Sequence, residues 1–238
     1  MRGVDRTLKE RLGGRVALTL ESASDIFADE VHLALEGLVV LARVFAVLPY
    51  GALPPEERAF AERVAERDRR SLAAASPVLV LLGSRGSVRE WNDRKRSARH
   101  LAMPLASPAS AASSPMIAAL LRDLGADAAA GAAGPSEEGP SIRTFHVFDA
   151  RTSVDPQGRL TIPDRDFVHQ HDIRTVLGVG GTVGDRLFAM ILFARQHVTL
   201  TAVEQFVPLA SRFRLLAADA ALQGRIFDSR ALPTTSEP

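Results

Sequence analysis

The stretch from Phe167 to Ala217 constrains the fold most, because a hairpin and a long helix follow each other there almost without linker. Residues 173–181 are rich in β-forming side chains and end in glycines, and residues 187–193 resume this pattern after Val183-Gly184-Asp185. Glycine beside aspartate at such a junction is typical of a chain reversal, which predicts an antiparallel hairpin. The second arm is apolar at nearly every position, so we expect it to be a central strand covered on both faces.

A long amphipathic helix is predicted directly after this hairpin. Thr199 or Thr201 can cap its first turn, and apolar residues then recur at the three-and-four spacing of one buried stripe. Pro208 lies inside that stripe and predicts either a bend or a first helical turn at that point. The stripe consists of Val203, Phe206, Val207, Ala210, Phe213, Ala217 and Ala220.

Earlier parts of the chain predict the remaining elements. Residues 31–48 hold two apolar runs around Glu36-Gly37, which we interpret as the first strands. Pro54-Pro55 followed by two glutamates is typical of a helix start. The run from Val78 to Leu82 predicts a strand, and residues 115–124 predict a short helix.

Several segments, taken in order, resemble a divergent GAF-type sensor domain. They are Phe145–Phe148, Ile162-Pro163 with Phe167-Val168, residues 173–181, Leu187–Phe193 and Phe206–Ala210. The similarity takes in Trp91–Arg94 and Pro115–Ile117 and covers most of residues 30–222. This resemblance implies an α/β (α+β) fold, in which helices pack on one face of a central antiparallel sheet and long loops cover the other.

The domain organisation expected from this reading has three parts. Residues 1–30 form an N-terminal helical segment, in which Asp5 to Leu12 is a short charged helix, and residues 31–224 form a single GAF-like domain. Alanine, glycine and proline predict a mobile loop at about residues 126–140. Residues 225–238 are expected to be a disordered tail, because they offer little to bury.

Composition excludes several classes of function. The 29 basic and 28 acidic residues give a net charge of +1, so we expect no nucleic-acid partner. No cysteine is present, which excludes thiolate metal sites, cysteine nucleophiles and a covalently attached bilin, and leaves haem or a small organic ligand open. The first 15 residues lack the apolar core of a signal peptide and no run is long enough to cross a bilayer, so we expect a cytoplasmic protein without membrane contact.

A polar cluster at residues 89–100 contains the only tryptophan and several arginines. Two interpretations stay open: it binds an anionic or heteroaromatic ligand, or it is a solvated connection with internal salt bridges, which charge runs favour. In GAF domains the ligand pocket lies between the sheet and its connecting segments, which here implies residues 88–105 and 144–172. The side chains expected to line it are Trp91, Asn92, His100, His146, Phe167 and His171.

No catalytic or metal-binding residues are predicted. His169 and His171 lie two apart, which is a weak metal spacing, and structural or surface histidines are favoured. Gly178 to Gly181 resembles a phosphate loop, but a strand follows it where a dinucleotide site needs a helix. Ser84 and Ser87 do not sit between the glycines of a nucleophile elbow. We expect no enzyme; the less favoured alternative is an enzyme whose residues come together only in three dimensions, such as His146 close to Asp149.

The resemblance implies a bacterial sensory or regulatory protein. We expect a small ligand to order the loops. The terminal helices, residues 5–12 and 201–223, are then expected to pass this structural change to a partner. The resemblance further implies a homodimer and a histidine kinase or other signalling protein as partner. The alternative is a ligand-free dimeric interaction module that docks such a kinase or regulator.

Overall fold

A six-stranded antiparallel sheet forms the centre of the fold. The computed structural model describes residues 18–105, 114–124, 142–183 and 186–228. The strands are β1 (Val39–Pro49), β2 (Pro77–Gly86), β3 (Ala102–Pro104), β4 (Arg143–Val147), β5 (Thr175–Val183) and β6 (Arg186–Ala194). The helices are α1 (Leu20–Ala34), α2 (Pro55–Arg67), α3 (Pro115–Asp123), α4 (Arg165–Gln170), α5 (Leu200–Glu204) and α6 (Val207–Leu222). The sheet order is β3-β2-β1-β6-β5-β4, and every neighbouring pair is antiparallel.

The predicted hairpin and its central strand are confirmed. β5 and β6 pair from Thr175 opposite Ala194 to Val183 opposite Arg186. β6 lies between β5 and β1, and its residues from Leu187 to Ala194 are buried. A strand with neighbours on both sides and layers on both faces has no solvent-facing side, which explains its continuous apolar sequence.

The helix predicted after the hairpin is present in two pieces. The Thr199 side chain accepts a hydrogen bond from the Ala202 N–H and caps α5. The chain leaves helical pairing after Glu204, and α6 then begins at Val207 with Pro208 in its first turn. Proline lacks the N–H that a continuous helix would need there, but its fixed φ suits a helix start.

One face of the sheet is covered by α1 and α6. The Phe213 ring of α6 stacks on Phe27 of α1 with centroids 4.7 Å apart, and it also contacts Phe188 of β6 at 5.3 Å. Phe27 and Phe213 are fully buried. Truncating a buried phenylalanine of this kind to alanine typically costs about 3–5 kcal/mol, so this contact fastens the helix pair to the sheet.

The opposite face is covered by shorter segments. α3, α4 and the loop between β4 and β5 pack there around Phe145, Ile162 and Ile173. A turn at Asp155 to Gly158 lies in this loop and is closed by a hydrogen bond from the Gly158 N–H to the Asp155 carbonyl, 2.9 Å long. The predicted α+β architecture, with helices on one face and loops on the other, is confirmed.

Two expectations for the ends of the domain need correction. Strands were predicted over residues 31–48, but Val31 belongs to the buried stripe of α1, and only the second apolar run is a strand. The tail was predicted to be disordered from residue 225, yet the Leu20 and Glu21 N–H groups donate to the carbonyls of Arg225 and Ile226 at 2.9 and 2.8 Å. These bonds satisfy the otherwise unpaired N–H groups at the start of α1.

Three other expectations lie outside the described residues. They are the charged helix at residues 5–12, the loop at about 126–140, and the tail from residue 229 onward.

Candidate functional site

A cleft of about 380 Å³ opens on the face of the sheet that the shorter segments cover. Its floor includes Leu41 and Arg43 of β1, Ser84 of β2 and Phe193 of β6. Its walls come from residues 90–100 and from residues 162–167, with Ser114 and Met116 at a third side. Small-molecule sites are typically concave and apolar with a few convergent polar groups, and this cleft has that composition.

A β-bulge explains why Ser84 faces the cleft. Along β2, Val78, Val80 and Leu82 contact the helix-covered face, so strict alternation would send Ser84 there too. The pairing with β1 shifts between Val44 and Phe45, which inserts one extra residue into β2. Ser84 therefore pairs with Arg43 and projects on the same face of the sheet.

An aromatic cluster forms one wall of the cleft. The Trp91 ring lies edge-on to Phe167 at 5.7 Å and to His171 at 4.6 Å, measured between ring centroids. Phe167 contacts Phe193 of the floor at 5.4 Å. Edge-on aromatic pairs of this kind add about 0.5–1.5 kcal/mol each beyond area burial, so the wall is held in place without a ligand.

Gly86 lets Trp91 approach the sheet. A Cβ at this position would lie 2.6 Å from Trp91 Cε3 and 2.9 Å from the Val40 carbonyl oxygen. Asn92 fixes the same segment, because its Oδ1 accepts from the Gly86 N–H at 2.8 Å and its carbonyl accepts from Arg85 at 2.8 Å. The segment that carries Trp91 is therefore attached to the end of β2 by three separate contacts.

Arg94 fastens this segment to the helices. The side chain is buried, and its guanidinium lies 2.5 Å from Glu21 of α1 and 2.8 Å from Glu57 of α2. It also donates to the Leu81 carbonyl of β2 at 3.1 Å. Arg94 thus serves a structural purpose, in line with the interpretation of residues 89–100 as a connection with internal salt bridges.

Arg43 is the central polar group of the cleft floor. Its Nη1 lies 3.1 Å from Nδ1 of His100, and because a guanidinium only donates, Nδ1 accepts and the ring proton sits on Nε2. Burial lowers the pKa of Arg43 to about 10, and no carboxylate among the described residues forms an ion pair with it. Burial, together with the charges of Arg43 and Arg99, lowers the pKa of His100 to about 4, so the imidazole is neutral at pH 7.

Several polar atoms of the cleft are buried without a hydrogen-bond partner among the described residues. They are Arg43 Nε, Ser84 Oγ and Ser97 Oγ. An unsatisfied buried polar group costs about 1–3 kcal/mol, so three of them in one small cleft are unfavourable for folding alone.

The rim charges are paired with each other. Arg99 lies 2.7 Å from Asp164, and Arg96 lies 3.5 Å from Asp93. These side chains are largely exposed, so the pairs contribute little stability. They do compensate the charge of the two rim arginines, which leaves Arg43 as the uncompensated cation of the cleft.

The structure brings together only part of the predicted site. Trp91, His100 and Phe167 line the cleft, and His171 packs behind Trp91. Asn92 does not line the cleft, because its side-chain Oδ1 accepts a hydrogen bond from the Gly86 N–H instead. His146 lies in a separate surface groove beside β4, where its Nε2 is 2.7 Å from the Val198 carbonyl oxygen.

Arg43 was not among the site residues predicted from the sequence, although a signal was present. Arg43 is the single charged residue in the apolar run from Val39 to Leu48. A charge inside a buried strand is costly, and such residues are typical of functional sites. Ser84 and Ser97 gave no comparable signal, because the bulge that orients Ser84 is not visible in the sequence.

The described residues contain no group of three or more metal-ligating side chains. Within the same ranges, no helix is both long enough and apolar enough to span a bilayer. His146 forms no ion pair with a carboxylate in the part of the chain that the structure describes, so it lacks the Asp149 contact that a catalytic pair would need.

A six-stranded antiparallel sheet with long helices on one face and a cleft under connecting segments on the other defines an α+β architecture with an open cleft. The particular fold is that of GAF domains. The GAF domain of a phosphoenolpyruvate-protein phosphotransferase from Coxiella burnetii superimposes with a TM-score of 0.51 at 13% identity, covering 94% of this chain and 96% of that one.

Two further structures are similar at lower scores. The GAF domain of an Acinetobacter phosphoenolpyruvate-protein phosphotransferase has a TM-score of 0.48 at 14% identity, over 94% of this chain and 96% of that one. The phycoerythrobilin-bound GAF domain of a cyanobacterial phytochrome has a TM-score of 0.48 at 12% identity, over 93% and 96%. No protein-family profile and no curated protein matches the sequence.

Proposed function

We propose that this protein is a sensory or regulatory GAF-like domain that binds a small organic ligand in the cleft between β1 and residues 90–100. The observation that carries the proposal is the convergence of buried, unpartnered polar atoms at the floor of an aromatic-walled cleft. A ligand that supplied their hydrogen bonds would remove their desolvation penalty and stabilise the domain. The GAF fold agrees with this function, since domains of this fold are found in the phosphotransferase and phytochrome proteins named above.

A route from the cleft to the helices supports a signalling role. Arg94 connects the segment that carries Trp91 to Glu21 of α1 and Glu57 of α2. The backbone N–H of Asp228, just after α6, donates to the second Glu21 oxygen at 3.0 Å. A movement of the cleft wall would therefore be transmitted to both ends of the described chain. We propose that a signalling partner or a second copy of the protein binds at these ends.

Native mass spectrometry of the purified protein, with a spectrum from the ultraviolet to the visible, tests ligand binding. We expect a mass above that of the 25.6 kDa chain. The matched variants are A98W, at an exposed residue that lines the cleft, and A73W, at an exposed turn away from it. The excess mass should vanish in A98W and persist in A73W, and an excess retained by both would place the ligand elsewhere.

The ligand-free interaction module is the second candidate, and exposed leucines favour it. Leu33 of α1 and Leu215 and Leu222 of α6 are 63%, 72% and 75% exposed. A clean apo mass in the experiment above, together with a dimer, would support this candidate in place of the sensor.

A further inference from the structure

The chemistry of the cleft floor indicates what kind of ligand group it would accept. Arg43 offers Nε and its Nη groups, and His100 offers the Nε2 proton. Both residues line the cleft and carry donors, and the hydroxyls of Ser84 and Ser97, which also line it, can donate as well. A floor made of donors around a cation fits a group that only accepts hydrogen bonds, and an ionised carboxylate is such a group.

The charges around the cleft disfavour a ligand with more than one negative charge. Arg96 and Arg99 are already compensated by Asp93 and Asp164. Glu90 also lines the cleft and adds a negative charge at its rim. The three arginines and three carboxylates that line the cleft sum to zero net charge, so only the local charge of Arg43 attracts an anion, and a phosphate dianion would meet the rim carboxylates without a second cation to bind it.

The apolar residues that line the rest of the cleft indicate what the part of the ligand beyond the carboxylate should be. Phe167 and Phe193 form an apolar surface with Trp91 on one side of Arg43, and Leu41 and Met116 complete it. Aromatic and branched apolar groups gain most from such a surface, because both bury apolar area and planar rings also stack.

We infer that the ligand is a small organic monoanion, a carboxylate on an aromatic or branched apolar body, with the carboxylate bound by the Arg43 guanidinium in a bidentate pair. This inference rests on the proposed function and specifies the class of ligand for the same cleft. His100 orients the guanidinium through the hydrogen bond that Nδ1 accepts.

Calorimetric titration with matched acids and amides tests the inference. The probes are benzoate, phenylacetate and 4-methylpentanoate, each compared with its primary amide, and phenyl phosphate as a dianion. At least one carboxylate should bind the wild-type protein about tenfold or more tightly than its amide. Phenyl phosphate should bind more weakly than the best carboxylate.

Substitutions at two arginines test whether Arg43 binds the carboxylate of the ligand. R43M should weaken carboxylate binding about 100-fold and leave amide binding nearly unchanged, while R89M, at an exposed arginine outside the cleft, should bind as the wild type does. R43M should fold, since methionine removes a desolvated charge that no carboxylate among the described residues compensates. R43K serves as a second variant that keeps the charge but loses the bidentate geometry, and it should retain part of the affinity.

The outcomes separate the inference from the proposed function. Equal binding of acid and amide, tighter binding of phenyl phosphate, or unchanged carboxylate binding by R43M would overturn the inference and leave a ligand cleft. If no probe binds, the mass excess measured above decides: a neutral ligand overturns the inference alone, and a clean apo mass overturns both. A co-purified carboxylic acid that R43M loses supports both.

Discussion

At the scale of single residues, Arg43 carries a positive charge that does not contribute to the stability of the fold. It lies in the middle of a central strand, is desolvated enough for its pKa to fall, and has a neutral imidazole as its hydrogen-bond partner. Groups of this kind are destabilising on their own, and natural proteins retain them mainly at sites of function. The sequence shows the charge, but only the fold shows that no carboxylate compensates it.

His100 gives a prediction for the pH dependence of stability. Its pKa is about 4 in the folded protein against an ordinary value of 6.5, so the unfolded chain binds more protons between these two values. The contribution of His100 is therefore full above pH 6.5 and is lost as the pH falls toward 4. We expect H100Q to show a shallower decrease in the free energy of unfolding across this window than the wild-type protein.

Urea unfolding at a series of pH values, followed by circular dichroism, measures this difference. Arg43, Arg99 and Asp164 face the imidazole, and H100Q leaves all three in place, so the difference in slope belongs to His100. H169Q, at an exposed histidine, is the control and should keep the wild-type slope. Identical slopes for H100Q and wild type would contradict the prediction.

At the scale of elements, Arg94 holds four pieces of secondary structure together. It joins α1 through Glu21, α2 through Glu57 and β2 through the Leu81 carbonyl, while its own segment carries the cleft wall. Glu57 is fully buried, so its carboxylate depends on Arg94 for compensation. Removing one partner of a buried ion pair destabilises a protein far more than replacing both partners with apolar residues.

A double-mutant cycle tests this dependence. R94M should destabilise the protein by about 3–5 kcal/mol, because it leaves Glu57 buried and uncompensated. Adding E57L should recover a part of that loss, which would appear as a coupling energy of about 2 kcal/mol or more. R89M, at an exposed arginine of the same segment, should change stability by less than about 0.5 kcal/mol. Additive effects of R94M and E57L would show that the pair is not coupled.

Elements were predictable wherever a local pattern decided them. The apolar run of β6 and the stripe of α6 reflect burial that holds along the whole element. The bulge in β2 was not predictable, because it depends on how β2 pairs with β1 and no local residue demands it. The predicted cleft residues show the same division. Trp91 and Phe167 meet there, whereas the side chains of Asn92 and His146 form hydrogen bonds with backbone groups outside the cleft.

At the scale of the whole molecule, the helix-covered face offers a surface for a second copy. Leu215 and Leu222 are seven residues apart and so lie on one side of α6, and both are exposed. Exposed apolar side chains in such an arrangement are typical of helix-to-helix association.

Sedimentation equilibrium tests this association. We expect the wild-type protein to have twice its chain mass of 25.6 kDa and L215E/L222E to have the mass of one chain. V154E, at an exposed valine on the opposite side of the sheet, should remain a dimer. A wild-type protein at the mass of one chain across the concentration range would exclude the dimer.

The pairing of Leu20 and Glu21 with Arg225 and Ile226 has a consequence for protein engineering. It brings the two ends of the described chain side by side, and the Thr19 hydroxyl also bonds to Asp228. A domain whose ends meet can be spliced into a surface loop of another protein with short linkers on both sides. Residues 18–228 would then act as an insertable cassette whose two splice points are held together by these hydrogen bonds.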